Sequence, residues 1–464
     1  MSKNSRSIAL TEGSIFTALL KLALPIIATS FVQMAYGLID MIWVGRLGSG
    51  AVAAVGTCGF FTWLANALII IPRIGAEVGV AQSLGRRDRD GVSAAIRHSI
   101  QLIVVLSSVY AGTLLLLRGP LLGFYRLGPE IQGLASTYLA IICLGMVFFA
   151  TNPIFTAIFN GAGDSRTPFR INGLGLVTNI ILDPILIFGF GPIPRLGVAG
   201  AAVATVLSQL LATSAFIWEA RRRPELFTGI KLFSKPDWGY LRRMITMGLP
   251  MSLQSALFTL ISMLIARIIS AWGPVAIAVQ RVGSQIESIS WMTAGGFQSA
   301  MSAFAGQNYG ARQGERVYRG YFVGLGIVSC IGVAATAALV FAARPLIAIF
   351  LHEPEALAVG AAYLRIIGLS QLPQTVEILT AGAFIGLGRT TPPSLVGISL
   401  NALRIPASLI LSRTALGLDG VWWTISVSTM LKGLILSTWY LRFMRTNEEM
   451  VHLRAQSKVQ EGTA

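Results

Sequence analysis

Twelve apolar stretches follow one another along this chain, at about 15–44, 51–83, 98–118, 132–160, 168–190, 198–219, 241–271, 275–307, 318–343, 357–387, 393–413 and 420–444. About 20 apolar residues wound as an α-helix cross a hydrocarbon core of roughly 30 Å, whereas a membrane-spanning strand needs only about 10 residues of alternating polarity. The lengths therefore predict helices. Inside a bilayer an unpaired backbone group finds no water, and helices satisfy every backbone bond within themselves, so the predicted fold class is an all-α membrane protein. Composition agrees: 12% of the residues are charged and 54% hydrophobic, where a soluble domain carries about 25% charged residues. The first stretch is longer than the apolar core of a secretory signal and lacks a clear small-x-small cleavage site, so it reads as a retained span.

The formal charge of +16 does not point to nucleic acid, because the basic residues lie in short connections rather than on a basic face with a reading element. Connections after even-numbered stretches, counted with the three nearest residues of the stretches they join, hold 17 Arg and Lys, and those after odd-numbered stretches hold 6. The positive-inside rule then places both termini in the cytoplasm of a multi-pass inner-membrane protein. The longest polar connection, Arg221 to Lys235 with Pro224 and Pro236 in or beside it, divides the chain into a first lobe at 1–225, a linker at 226–240 and a second lobe with its tail at 241–464.

The halves repeat. An offset of 225 aligns Leu24-Pro25 with Leu249-Pro250, Gln82 and Gly85 with Gln307 and Gly310, Tyr138-Leu139 with Tyr363-Leu364, and Gly161 and Gly163 with Gly386 and Gly388, before slipping to 222 at Pro184 and Pro406. Six spans is an even number, so the two copies enter the membrane from the same side. They are parallel repeats about a pseudo-twofold axis along the membrane normal. Two such bundles are a transporter architecture, because rocking one against the other exposes a midplane site to either side in turn.

Carboxylates inside such spans call for a reason, since one at the bilayer centre costs about 2.5 to 3.5 kcal/mol even on a lenient scale. Asp40 lies in the outer half of the first span and Asp183 in the middle of the fifth. Tyr36 and Asp40 are four residues apart, as are Asn179 and Asp183, so helical geometry turns each pair to one face. Two carboxylates in one low-dielectric pocket resist carrying two negative charges together, and either a proton or a bound cation must cancel one. Pro25 and Pro184 each remove a helix hydrogen bond, from the carbonyls of Lys21 and Ile180, and are predicted to kink their helices. Cys58, Cys143 and Cys330 lie far apart, and His98, His352 and His452 have no second His or Cys three or four residues on. No tightly bound metal and no cofactor is therefore expected.

The order of these signatures resembles the multidrug and toxic compound extrusion (MATE) family over residues 14–440. The resemblance rests on Gln82-Ser-Leu-Gly85 with its repeat Gln307-Asn-Tyr-Gly310, on Gly161-x-Gly163-Asp-Ser-x-Thr-Pro168 with Gly386-x-Gly388-Arg-Thr-Thr-Pro392, and on Val279 to Gly306 with Glu287 inside it. Tyr36-x-x-x-Asp40 together with Asn179-x-x-x-Asp183-Pro184 is similar to its DinF-like branch. The resemblance implies a V of two six-helix lobes and cation-driven export of small organic, often cationic, compounds by a monomer in the bilayer. It implies H⁺ or Na⁺ coupling at Tyr36, Asp40, Asn179, Asp183 and Thr205. Thr205 enters through Gly197-Val-Ala-Gly-Ala-Ala-Val-Ala-Thr205, which resembles the family's sixth-span motif. For Na⁺, the ligands would be Asp40, Asp183, the Asn179 carbonyl and the Thr205 hydroxyl.

Substrate contacts carried over from the family are Gln33, Tyr36, Tyr138, Asn152 and Asn179, with interhelical hydrogen bonding as the competing role. In the second lobe Gln280, Glu287 and Glu377 are secondary sites, with Arg281 and Arg404 as neutralising partners of the two glutamates. Around Phe258-Thr259-Leu260 this chain lacks the acid that other branches carry in span seven, which weighs against coupling through the second lobe alone. Two other classes stand against the transporter reading. A lipid-linked oligosaccharide flippase would show a basic cavity for pyrophosphate, whereas this first lobe is acidic. A membrane acyl- or glycosyltransferase would need catalytic residues clustered at one interface, and the sequence has no HxxxxD, DxD or His-rich cluster there.

Overall fold

The computed structural model describes residues 10–232 and 234–462, and among them the chain is helical apart from turns and one isolated bridge between Phe190 and Ile193. The first half contains α1 (Ile15–Gly45), α2 (Ser49–Gly85), α3 (Arg89–Gly123), α4 (Pro129–Gly161), α5 (Arg166–Phe188), α6 (Val198–Arg221) and the single turn α7 (Pro224–Phe227). The second contains α8 (Trp238–Ile269), α9 (Gly273–Gly310), α10 (Gly314–Phe341), the short α11 (Ala343–Ala348), α12 (Pro354–Gly368), α13 (Gln371–Gly386), α14 (Thr391–Leu411), α15 (Gly417–Thr446) and α16 (Glu448–Gly462).

Nine stretches of the described residues are long and apolar enough to cross a bilayer, and one of these, the 73-residue Trp238–Gly310, holds both α8 and α9. α12 and α13 meet the same test as a pair bent by 46°, and α15, 30 residues long with Lys432 at its middle, completes the twelve. Large apolar side chains such as Val109, Leu116, Leu144, Phe341 and Ile410 stand exposed on these helices. An apolar surface of that extent is what lipid contact requires.

Packing divides the described residues into two compact units, one formed by Leu24–Leu249 and the other by Leu10–Ala23 together with the described residues from Pro250 onward. The chain therefore passes between units inside α1 and inside α8, not within the 226–240 segment. Each crossing falls next to a proline, Pro25 or Pro250. A proline leaves the helical ladder one bond short, so the helix can change neighbours there without breaking a bond it would otherwise make. Both helices continue through their prolines, as does α5 through Pro184.

Within each unit the same pairs of helices pack. α2 lies against α3 and α4, α4 against α6, and α5 against α6; in the other unit α9 lies against α10 and α13, α13 against α15, and α14 against α15. The repeat also holds bond by bond. Asp164 N–H donates to Phe159 O and Gly163 N–H to Asn160 O, while Arg389 N–H donates to Phe384 O and Gly388 N–H to Ile385 O. These are paired Schellman caps, with Gly163 and Gly388 in the left-handed region at φ 82 and 74. α2 and α9 end in matching caps, with Asp88 N–H donating to Ser83 O and Gln313 N–H to Asn308 O. A Cβ on Gly161 would lie 2.6 Å from Glu77 O, and one on Gly386 2.4 Å from Ser302 O, so the same close approach of two helices is built twice.

Candidate functional site

In the first unit the acids of α1 and α5 come together. Asn179 and Asp183 are fully buried, and Asn179 Nδ2 donates to Asp183 Oδ1 at 3.1 Å, one turn apart on α5 as their spacing predicts. Asp183 lies within electrostatic reach of Asp40. The Tyr36 hydroxyl lies beside Thr205 and Ser208 of α6 and within reach of both acids. Tyr138 of α4, 7% exposed, faces the same group. Four helices thus contribute to one polar centre.

Its oxygens are unspent. Tyr36 OH, Asp40 Oδ1, Asn179 Oδ1, Asp183 Oδ2 and Thr205 Oγ1 are all buried without a hydrogen-bond partner among the described residues. Tyr36 OH is near Thr205 and Ser208 but in bonding geometry with neither. Among the described residues, no Lys, Arg or His is among the groups that act on either acid. A set of carboxylate, amide and hydroxyl oxygens with no internal base suits a proton or a hard cation.

The remaining first-unit positions are used differently. Asn152 is buried at 3% exposure and committed to α6: its amide donates to Gln209 O at 3.1 Å and to Gln209 Oε1 at 2.7 Å, and its carbonyl accepts from Thr213 Oγ1 at 2.8 Å. It therefore ties α4 to α6. Gln33 is exposed on the same helix as Tyr36.

The second unit holds a polar centre of different make-up. Glu287 of α9 accepts from Tyr363 OH at 3.3 Å and is flanked by Gln371 and Gln374. Gln280 accepts from Trp422 Nε1 at 2.9 Å and so joins α9 to α15. Arg281 is exposed. Arg404 is buried, with Nε donating to Ser428 Oγ at 2.7 Å and a terminal nitrogen to Thr429 Oγ1 at 2.8 Å. Glu377 pairs at 3.1 Å with Lys432 Nζ and also lies within electrostatic reach of Arg404, the partner the sequence offers for it. Sequence reading missed Lys432, although a lysine at the middle of a span is a sufficient signal by itself.

Against known proteins, the MatE family model matches residues 25–185 and 250–410, once in each half. "Probable multidrug resistance protein NorM" of Thermotoga maritima is 30% identical over 87% of this chain and 87% of its own. The protein of the same description from Deinococcus radiodurans is 28% identical over 90% of this chain and 93% of its own. A solved structure described as MATE in the straight conformation superimposes with a TM-score of 0.87 at 26% identity, covering 98% of this chain and 100% of the other. The repeated match and the buried polar centre at the heart of each copy have one explanation: the chain belongs to the MATE family and is a membrane transporter, not an enzyme.

Proposed function

We propose that the chain is a secondary active antiporter in the inner membrane, both termini cytoplasmic, that exports small organic, often cationic, compounds in exchange for H⁺ or Na⁺. The observation that carries this reading is the approach of Asp40 and Asp183 to within electrostatic reach of each other, among buried unpartnered oxygens and with no base acting on either acid among the described residues. One positive charge must enter such a setting to make two carboxylates tolerable in a low dielectric. An ion and a cationic cargo satisfy that need equally, so binding one favours release of the other. The Asp40 and Asp183 carboxylates bind the charge, Asn179 orients Asp183 through its amide, and Tyr36 and Thr205 complete the oxygen set. The multidrug resistance relatives support export as the direction. Gln33 and Tyr138 serve as cargo contacts beside the two acids. Pro25 and Pro250, where α1 and α8 pass from one unit to the other, serve as hinges for alternating access.

Ethidium efflux from inverted or reconstituted vesicles tests the reading under an imposed pH gradient and then a Na⁺ gradient. Efflux driven by one of these and absent without it is expected, and it identifies the ion. Indifference to both gradients would sink ion-coupled export. Scrambling of a pyrophosphate-linked lipid by the same vesicles would favour the flippase instead.

A further inference from the structure

The second unit's Glu377 and Lys432 form a buried ion pair in mid-membrane, with side chains 12% and 10% exposed and 3.1 Å between Oε2 and Nζ. Lys432 is also within reach of Glu287 and Arg404. Two acids and two bases therefore share the centre, which is formally neutral. The repeat gives no precedent for the pair. At the offset of 225, Glu377 corresponds to Asn152; α6 and α15, aligned at an offset of 220 by Leu196-Gly197-x-x-Gly200 and Leu416-Gly417-x-x-Gly420, match Lys432 to Ala212. At the same place between the same two helices, the first unit has an amide that hydrogen-bonds Gln209 and Thr213, and the second has a full charge of each sign.

A carboxylate pocket can be filled by a free cation or by an ammonium group tethered to the protein. The surroundings of Glu377 are those of a cation site. Glu287 supplies a second carboxylate nearby, and Gln371 Oε1 and Gln374 Oε1, which flank Glu287, are buried oxygens without partners among the described residues. Arg404, within electrostatic reach of both glutamates, has two N–H donors engaged by Ser428 and Thr429, while the lysine is the cation in direct contact with the carboxylate. We propose that the Lys432 ammonium occupies, as a tethered surrogate, a site that would otherwise take a monovalent cation from solution, either Na⁺ or a small primary ammonium ion. The second unit's ion site is permanently filled, and exchange with solution is left to the first. This rests on the second unit's geometry alone and holds whichever ion serves Asp40 and Asp183.

Purified full-length protein in detergent gives the test, in an Asp183→Asn background that silences the first unit's response. Thermal unfolding is followed with choline, Na⁺ or methylammonium as the chloride salt. Lys432→Ala removes the tether, and its midpoint is expected to rise by several degrees in millimolar Na⁺ or methylammonium and not in choline. With Lys432 present, or with Glu377→Gln added to Lys432→Ala, the three salts should give one midpoint. If Lys432→Ala folds only when one of the two cations is present during purification, that rescue is the same result by another readout. Should it fail to fold in all three salts, Lys432→Gln, an uncharged polar side chain one atom shorter than lysine, takes its place in the same assay. A variant that folds with no more cation response than the background overturns the proposal, as does a Na⁺ response that appears with Lys432 in place and vanishes with Glu377→Gln.

Discussion

The two polar centres share the helices matched by the repeat, α4 to α6 in one unit and α12 to α15 in the other, but α1 completes the first and α9, the counterpart of α2, completes the second, and they differ in their charge balance. The first has Asp40 and Asp183 with five oxygens unspent and no base acting on either acid. The second has Glu287 and Glu377 compensated by Arg404 and Lys432, with the strongest donors already engaged. Tyr138 and Tyr363, aligned by the repeat, face the acids in each unit, so the architecture was copied while the charge balance was not. A centre that needs a charge from outside can be coupled to a gradient. One that supplies its own is a strut.

The largest effect separating the centres is expected from Asp183→Asn. It keeps the shape and removes the charge, so gradient-driven ethidium efflux should fall to the background of vesicles lacking the protein. No buried pair is broken, and the thermal midpoint should stay at or above that of the parent. Wild-type efflux in this variant, and in Asp40→Asn, would remove the contrast altogether. The second unit should answer in the opposite currency, stability. Lys432→Met leaves Glu377 buried without its partner, and breaking a buried pair from one side costs about 3–5 kcal/mol. Adding Glu377→Gln should return most of that loss, since replacing both partners of a buried pair is often neutral or stabilising. Denaturation of the single and double variants measures the difference, and additivity between the two substitutions would mean that the ion pair contributes nothing of its own.

A smaller effect is expected at the counterpart of Glu377. Asn152→Ala loses the hydrogen bonds to Gln209 and Thr213 and should destabilise by about 2 kcal/mol, within the range for leaving buried partners unsatisfied. Efflux per folded molecule should persist if Asn152 only ties α4 to α6, whereas a selective loss of efflux would move it into the cargo path. This residue also shows where sequence reading stops. The spans, the repeat and the meeting of Asp40 with Asp183 were legible because each follows from a period, an offset or the cost of a charge in lipid. Whether Asn152 or Gln280 faces a cavity or a neighbouring helix depends on the rotation of one helix against another, which no local spacing encodes. The pairing of Glu377 with Lys432 was hidden for the same reason, since α13 and α15 are joined by α14 and meet only in three dimensions. The crossing of chain between units inside α1 and α8 was likewise invisible, although Leu24-Pro25 and Leu249-Pro250 had marked both places.

The smallest expected effect tests whether the units are equivalent where charge is not involved. Gly163 and Gly388 hold left-handed backbone at φ 82 and 74, and each closes a cap with the same two hydrogen bonds at the end of α4 or α13. Alanine in that conformation costs about 1 kcal/mol. The flanking residues differ: Asp164 is buried, accepting from Thr167 and pairing at 2.8 Å with Arg223, while Arg389 is about half exposed and only 3.9 Å from Glu449. If the cap is a backbone device, Gly163→Ala and Gly388→Ala should lower the unfolding midpoint equally, because neither side-chain setting touches the strained φ. A markedly larger loss for Gly163→Ala would mean that strain at the cap is transmitted into the Asp164–Arg223 pair, and the asymmetry between the units would then reach beyond the polar centres to the loop-facing ends of the helices.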